Sequence, residues 1–166
     1  WTPLMEQVSV DEAFLDLTDL PDDLESLAGR IQAEIREKTG LPCSLGGASN
    51  KLVAKIANDV GKSKRKSNSP PNAITIVPPG GEAQFLASLP VKALWGVGEK
   101  TAERLNQIGF FTVGQLAEAD ETLLIREFGK YGRAMRQAAN GLDDSPIVTE
   151  HEVKSISQEV TFERDV

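Results

Sequence analysis

Val8-Ser-Val-Asp-Glu-Ala-Phe-Leu-Asp16 places two adjacent carboxylates, Asp11 and Glu12, between two short β-forming runs. Val8 and Val10 alternate with Ser9 ahead of the pair, and Ala13, Leu15 and Leu17 alternate with Phe14 and Asp16 behind it. Period-two alternation interrupted by charge predicts a hairpin with its acids near the turn. Neighbouring strand residues point to opposite faces, so the pair converges on one ligand only where a twist or bulge re-aims one of them. Paired carboxylates beside a phosphate-binding basic segment suit magnesium and in-line phosphoryl or nucleotidyl transfer. The plainer reading of the pair is solvated turn chemistry.

Working outward, Asp22 to Lys38 reads as an amphipathic helix with Leu24, Leu27, Ala28, Ile31 and Ile35 along one stripe. Asp22 followed by Glu25 fits a capping box, and Gly40 stops the helix. Leu41 to Ala48 is a short apolar run with Gly46 and Gly47, which mark a close approach of backbone or ligand, or a bulge. The lone cysteine, Cys43, lies in this run as a packing residue. Ser49 or Asn50 caps a second helix, Lys51 to Val60, with a stripe of Leu52, Val53, Ile56, Ala57 and Val60. Lys51 and Lys55 share a face, and Lys62 follows just past the helix end. Between Lys51 and Lys66 stand Lys51, Lys55, Lys62, Lys64, Arg65 and Lys66 against the single acid Asp59, which predicts a locally positive face or a solvated lysine face. Ala73 to Val77 is a β-branched strand.

Pro78-Pro-Gly-Gly81 is the predicted domain boundary, and the segments from Glu82 to Asn140 read as helical. Glu82 to Leu89 forms a short helix ending before Pro90. Leu94-Trp-Gly-Val-Gly-Glu-Lys-Thr-Ala-Glu-Arg-Leu105 then reads as two helices joined by a glycine turn. Gly96 and Gly98 let the backbone turn tightly, and the amides of Gly96, Val97 and Gly98 at the start of the second helix are placed to meet a phosphate. Such a contact uses backbone and helix dipole and reads no sequence. Lys100 and Arg104, one turn apart, are candidate phosphate contacts beside it, whereas Trp95, Ala102, Leu105 and Ile108 are expected to pack. The alternative is an ordinary glycine-closed helical hairpin. Thr112 and Asp120 cap two further helices, and Gly129 ends the second. Gly129-Lys-Tyr-Gly132 suggests a degenerate second hairpin, whose Lys130, Arg133 and Arg136 read as solvated side chains. Leu142-Asp-Asp-Ser-Pro146 ends the helices, and residues from His151 turn β-like, with His151 given no role.

Composition bounds the function. The 166 residues are 40% hydrophobic and 26% charged, which is ordinary for a globular protein. No apolar run approaches the roughly 20 residues of a membrane span, so no membrane partner is expected. The N-terminus lacks the regions of a signal peptide, and a chain opening at Trp1 reads as an excised piece of something longer. One cysteine excludes an internal disulfide and fits a reducing cytoplasm. The net charge of −7 argues against general adhesion to nucleic acid, so any such contact must be local.

Ser9-Val-Asp-Glu-Ala-Phe-Leu-Asp16 resembles the second carboxylate motif of the Y-family, or translesion, DNA polymerases. Gly46-Gly-Ala-Ser-Asn-Lys-Leu-Val-Ala-Lys-Ile-Ala-Asn-Asp59 is similar to that family's strand-to-helix segment beside the nucleotide, and Leu94 to Leu105 resembles a helix-hairpin-helix. Lys154 to Phe162 resembles the first strand of the family's little finger domain. The resemblance implies an α+β fold: a partial ferredoxin-like palm, a sheet with two helices, over 1–78. A small all-helical thumb with the helix-hairpin-helix follows over 79–148, then a linker and first little-finger strand over 149–166.

It further implies template-directed nucleotidyl transfer from a deoxynucleoside triphosphate to a primer 3′ hydroxyl. Asp11 and Glu12 help hold two Mg2+ ions, Asp11 bridging them and Glu12 nearest the primer end. A lysine at the position of Lys62 contacts the triphosphate. Where the family continues Lys-Pro-Asn-Gly this chain runs Lys62-Ser-Lys-Arg-Lys66, which leaves Lys62 and Lys64 as alternatives. Primer–template DNA, the incoming nucleotide and a sliding clamp are the implied partners. The family's first catalytic Asp and its fingers lie outside these residues, so the chain alone is expected to be inactive. Two competing readings are a non-catalytic helix-hairpin-helix DNA-binding or scaffold protein, with the acids structural, and a metal-dependent nuclease. The nuclease is disfavoured because no further Asp or His cluster accompanies a strand.

Overall fold

The computed structural model describes residues 1–64 and 70–150. Arg65 and Lys66 of the basic run, His151 and the Lys154 to Phe162 strand lie outside the described residues. Elements follow the expected order, strand, strand, helix, strand, helix, strand, then helices only. The described residues fall into two compact units: residues 1–18 with 146–150, and residues 19–64 with 70–145.

In the smaller unit, β1 (Met5–Gln7) and β2 (Ala13–Leu15) pair antiparallel with Met5 opposite Leu15, Glu6 opposite Phe14 and Gln7 opposite Ala13. The ladder is shorter than the alternation from Val8 suggested. Val8 to Glu12 form the connection, and Val10 is 96% exposed. A carboxylate of this unit, Glu6, accepts the Val148 amide at 2.9 Å.

In the larger unit, α1 (Leu24–Thr39) buries Leu27, Ala28 and Ile31 and ends at Gly40, whose φ of 72° suits a residue without a side chain. Its cap is Asp23, not Asp22: the Asp23 carboxylate accepts the Ser26 amide at 3.0 Å. Asp22 instead pairs with Arg30 at 2.6 Å. The pairing distance of three residues is the same, so only the register of the box was misread.

Next, β3 (Leu45–Gly47) and β4 (Ile74–Ile76) pair in parallel across α2 (Lys51–Ser63). The strands therefore form two separate two-stranded ladders rather than a single sheet. Asn50 caps α2, accepting the Val53 amide at 3.0 Å, and Leu52, Val53, Ile56 and Ala57 face inward as the stripe predicts. The helix runs past Val60, so Lys62 sits in its last turn rather than beyond it. Gly46 explains the close seating: a Cβ there would lie 2.1 Å from the Ala54 carbonyl oxygen and 2.4 Å from the Asn58 amide. The glycine thus serves the approach of a helix backbone, and a Cβ at Gly47 would meet Leu24 and Ile76. Cys43 is half-buried, its carbonyl accepting from Gln32 Nε2 at 2.9 Å. Burial pushes its thiol pKa up, as an unreactive packing residue requires.

Past Pro78–Gly81 come α3 (Glu82–Ala87), a single 3₁₀ turn (Val91–Ala93), α4 (Glu99–Gln107), α5 (Val113–Ala117), α6 (Glu121–Phe128) and α7 (Lys130–Ala139). One apolar cluster runs from Leu52, Val53 and Ile56 through Val77 and Leu86 to Leu94, Leu105, Leu116, Leu124 and Met135. Thr112 caps α5 through a complete capping box with Gln115, and Asp120 caps α6. At Gly132, an added Cβ would fall 2.2 Å from the Leu124 carbonyl oxygen, so α6 and α7 touch backbone to backbone. No helix among the described residues is long and apolar enough to cross a membrane.

Candidate functional site

The acidic pair lies in the loop that closes the β1–β2 hairpin. The Glu12 carbonyl accepts the Val8 amide at 2.9 Å and the Ser9 amide at 3.2 Å, which folds residues 8–12 into a tight connection. Because both acids are off the ladder, the alternating-face rule no longer separates their side chains. Asp11 is exposed and Glu12 half-buried. Ser9 Oγ donates to Asp11 Oδ1 at 2.7 Å and accepts the Asp11 amide at 3.3 Å, fixing the first carboxylate against its own loop. Two adjacent carboxylates in one loop are an oxygen-donor pair of the kind magnesium takes, one or two carboxylates completed by water and phosphate. No group of three or more His, Cys, Asp or Glu side chains able to hold a metal occurs among the described residues. Asp16, two residues past the ladder's centre, is bound to Thr18 instead. The Thr18 hydroxyl at 2.6 Å and amide at 3.0 Å hold its carboxyl below the ordinary range.

Lys62 belongs to the larger unit, half-buried in the last turn of α2, with Lys64 exposed just after it. Two turns earlier Lys55 meets Asp59 at 3.3 Å, so that part of the lysine face is internally compensated.

The glycine turn forms where its residues predict, but the Val97 amide expected to meet a phosphate is spent inside it. Gly96 takes a φ of 92°, a left-handed conformation that a side chain would strain. Val97 turns inward, 7% exposed, and its amide closes the turn on the Leu94 carbonyl at 2.9 Å. Gly98 is the N-cap of α4, without a side-chain cap, and a Cβ there would meet nothing within 4 Å. The first intrahelical bond of this turn runs from the Ala102 amide to the Gly98 carbonyl at 2.9 Å. The amides of Glu99, Lys100 and Thr101 precede that bond and point out of the helix end, where an anion is favoured. Lys100 is exposed beside them.

Two side chains depart from expectation. Trp95 was expected to pack beneath the turn but is 46% exposed. Leu94 and Val97 fill the inward positions on either side, and the positive φ at Gly96 turns Trp95 outward between them. Arg104 is paired with Glu127 of α6, whose carboxyl its guanidinium holds below the ordinary range. Of the two basic side chains, Lys100 is therefore the better placed for a phosphate. Arg133 and Arg136 are likewise engaged, by Glu121 and by the Ala119 carbonyl. The Tyr131 hydroxyl donates to the Gly96 carbonyl, a tether that the reading of Gly129 to Gly132 as a second hairpin did not anticipate.

Comparison with known proteins adds an independent finding. The impB/mucB/samB family matches residues 1–59, and the helix-hairpin-helix motif of the same family matches residues 79–110. DNA polymerase IV of Methanoculleus marisnigri is 45% identical over 97% of this chain, and that of Streptomyces coelicolor 40% identical over 99%. The chain belongs to the Y-family of DNA polymerases. It spans 43% and 34% of the length of those two Y-family relatives. Crystallised Sulfolobus solfataricus DinB superposes with a TM-score of 0.71 at 28% identity, covering 86% of this chain and 41% of that one. An insertion ternary complex of Dbh DNA polymerase gives 0.73 at 28% identity, with coverage of 86% and 41%. Both Y-family matches fall on the segments that carry the carboxylate loop and the glycine hairpin, and the mixed helix-and-strand fold agrees with theirs.

Proposed function

We propose that this chain supplies the acidic pair and the duplex-gripping hairpin of a template-directed, translesion DNA polymerase. The reaction is nucleotidyl transfer from a deoxynucleoside triphosphate to a primer 3′ hydroxyl. The observation carrying this reading is the Asp11–Glu12 loop followed, on one chain, by the open N-terminus of α4 at Gly98. Residues 1–78 correspond to part of a palm and 79–148 to a thumb. Primer–template DNA and nucleotide are the partners, joined by a sliding clamp on resemblance alone.

Two Mg2+ ions are the proposed cofactor, and the oxygen-only donor set of exposed Asp11 and half-buried Glu12 fits them. Magnesium held there would supply the lowered pKa of an attacking hydroxyl and charge for a leaving pyrophosphate. Asp11, oriented by the Ser9 hydroxyl and exposed, and Glu12 beside it would hold the ions, with Glu12 assigned to the one that activates the primer hydroxyl. Lys62 is assigned to the triphosphate, where a point charge neutralises developing negative charge. The amides following Gly98, with Lys100, grip a duplex phosphate without reading sequence.

Manganese titration followed by amide NMR tests the metal assignment. Line broadening is expected first at Asp11 and Glu12, and Asp11→Ala should remove it. Broadening spread evenly over the other surface acids, or unchanged in Asp11→Ala, overturns the assignment.

A further inference from the structure

Three contacts reach the N-terminus of α2 from the two ends of the segment α3 to α7, Glu82 opening α3 and Gly141 and Asp143 following α7. Asn50, besides capping α2, donates from Nδ2 to the Gly141 carbonyl at 2.8 Å. Asp143 Oδ2 accepts the Leu52 amide at 3.1 Å, across 91 residues of sequence. Ser49 Oγ donates to Glu82 Oε1, on the first residue of α3, at 2.5 Å. The first turn of α2 has no acid of its own. Asp143 therefore supplies the negative charge that a helix N-terminus favours. Its own position is set by the Ser145 amide, which donates to Oδ1 at 3.2 Å. Gly141, at a φ of 75°, comes so near α3 that a Cβ would lie 2.5 Å from that of Glu82.

We propose that Asp143 is a positioning residue which, with Asn50, clasps the helices carrying the glycine hairpin in a fixed orientation to α2, the helix carrying Lys62. The functional consequence rests on the reading above, in which the hairpin holds duplex and Lys62 the triphosphate. α2 is itself seated on the β3–β4 ladder, where added Cβ atoms at Gly46 and Gly61 would meet Ala54 O at 2.1 Å and Thr75 Oγ1 at 2.5 Å. With α2 held on that ladder, releasing the clasp leaves the apolar cluster alone to resist a turn of α3 to α7 against α2. A rotation of roughly 10° displaces a point about 15 Å from the pivot, the length of ten helical residues, by about 2.6 Å. A misplacement of about 1 Å between reacting groups costs up to roughly a hundredfold in rate. The clasp is thus large enough in effect to set the spacing between duplex and nucleotide.

Residual dipolar couplings in this chain read the orientation of α4 against α2 directly. Wild type and Asp143→Asn, whose amide oxygen still accepts from Leu52, are expected to fit one alignment tensor. Asp143→Ala is expected to need two, with exchange of the Leu52 amide faster by at least about tenfold. Asn50→Ser keeps a capping oxygen but removes the donor to Gly141, and it should also need two tensors; it decides the matter should Asp143→Ala not fold. A single tensor in the folded variants overturns the proposal, as does an Asp143→Asn chain that behaves like the alanine. No nucleotide or DNA enters this measurement, so a failed polymerase reading and a failed clasp give separate results.

Discussion

The phenolic hydroxyl of Tyr131, one residue into α7, donates to the carbonyl oxygen of Gly96, the residue whose left-handed backbone makes the hairpin turn. The turn is thereby held from outside its own two helices. Its geometry depends on a packing contact 35 residues away.

Tyr131→Phe keeps the ring and removes only the donor. A single hydrogen bond of this kind contributes about 1 kcal/mol. Urea unfolding of the variant should show a loss of that size with an unchanged slope. Because the freed turn no longer presents the α4 amides in one orientation, duplex affinity measured by fluorescence anisotropy should fall by roughly three- to tenfold. Equal affinity in the two proteins would show that the tether serves folding alone.

Gly46 and Gly98 make a paired prediction, since both are glycines near candidate sites but for different reasons. At Gly46 a methyl would press into the backbone of α2, 2.1 Å from Ala54 O, and Gly46→Ala should lower stability by about 3 kcal/mol or prevent folding. At Gly98 the same methyl meets open space and the backbone φ of −76° accepts a side chain. Gly98→Ala should therefore stay within about 1 kcal/mol of wild type in denaturant unfolding. Its methyl stands where a phosphate must approach, so duplex binding at low salt should weaken by roughly tenfold. Normal binding by Gly98→Ala would remove the α4 terminus from the interface.

How much of this was legible beforehand follows from the range over which each feature is encoded. The stripe Leu27, Ala28 and Ile31, the caps Thr112 and Asp120, the α2 cap narrowed to Ser49 or Asn50, the turn at Gly96 and the helix end at Gly129 are local features, and the sequence pattern located them. The hairpin's acids were placed correctly near the turn, whereas the strands came out shorter because Val8 and Val10 form the loop. Trp95 was misread because hydrophobicity alone does not say which of three neighbouring apolar residues a turn will expose. Arg104 pairing with Glu127 and Asp143 meeting Leu52 span 23 and 91 residues, and nothing near either residue in sequence signals its partner.

Part of the acid sensitivity should originate at helix starts. Hydrogen bonds from Ser26 to Asp23 and from Thr122 to Asp120 hold both carboxyls below their ordinary range. A carboxyl depressed in the folded state contributes stability above its unfolded pKa of about 3.9, and that contribution is lost as pH falls through the folded value. The urea midpoint should be level between about pH 7 and pH 5 and decline below about pH 4. In an Asp23→Asn, Asp120→Asn double variant the capping oxygens remain but neither titrates, so the decline should be shallower. A decline of unchanged steepness would assign acid sensitivity to other groups.

The ion pair of Arg104 with Glu127 bears on duplex binding in an unexpected direction. The guanidinium lies one turn along α4 from Lys100, on the helix whose start is the candidate phosphate site, yet a carboxylate from α6 already occupies it. Glu127→Gln removes the competing charge and leaves a neutral amide of the same shape. Being 49% exposed, Arg104 then has room to reach a phosphate oxygen. Each added phosphate contact steepens the dependence of log affinity on log salt by about 0.9. The variant should therefore bind duplex DNA more tightly at low salt, by several-fold, with the slope steeper by about that amount. Arg104→Ala in the Glu127→Gln background should restore the wild-type slope. If Glu127→Gln changes neither affinity nor slope, Arg104 is a strut between α4 and α6, and Lys100 is left as the cation that meets the backbone of the duplex.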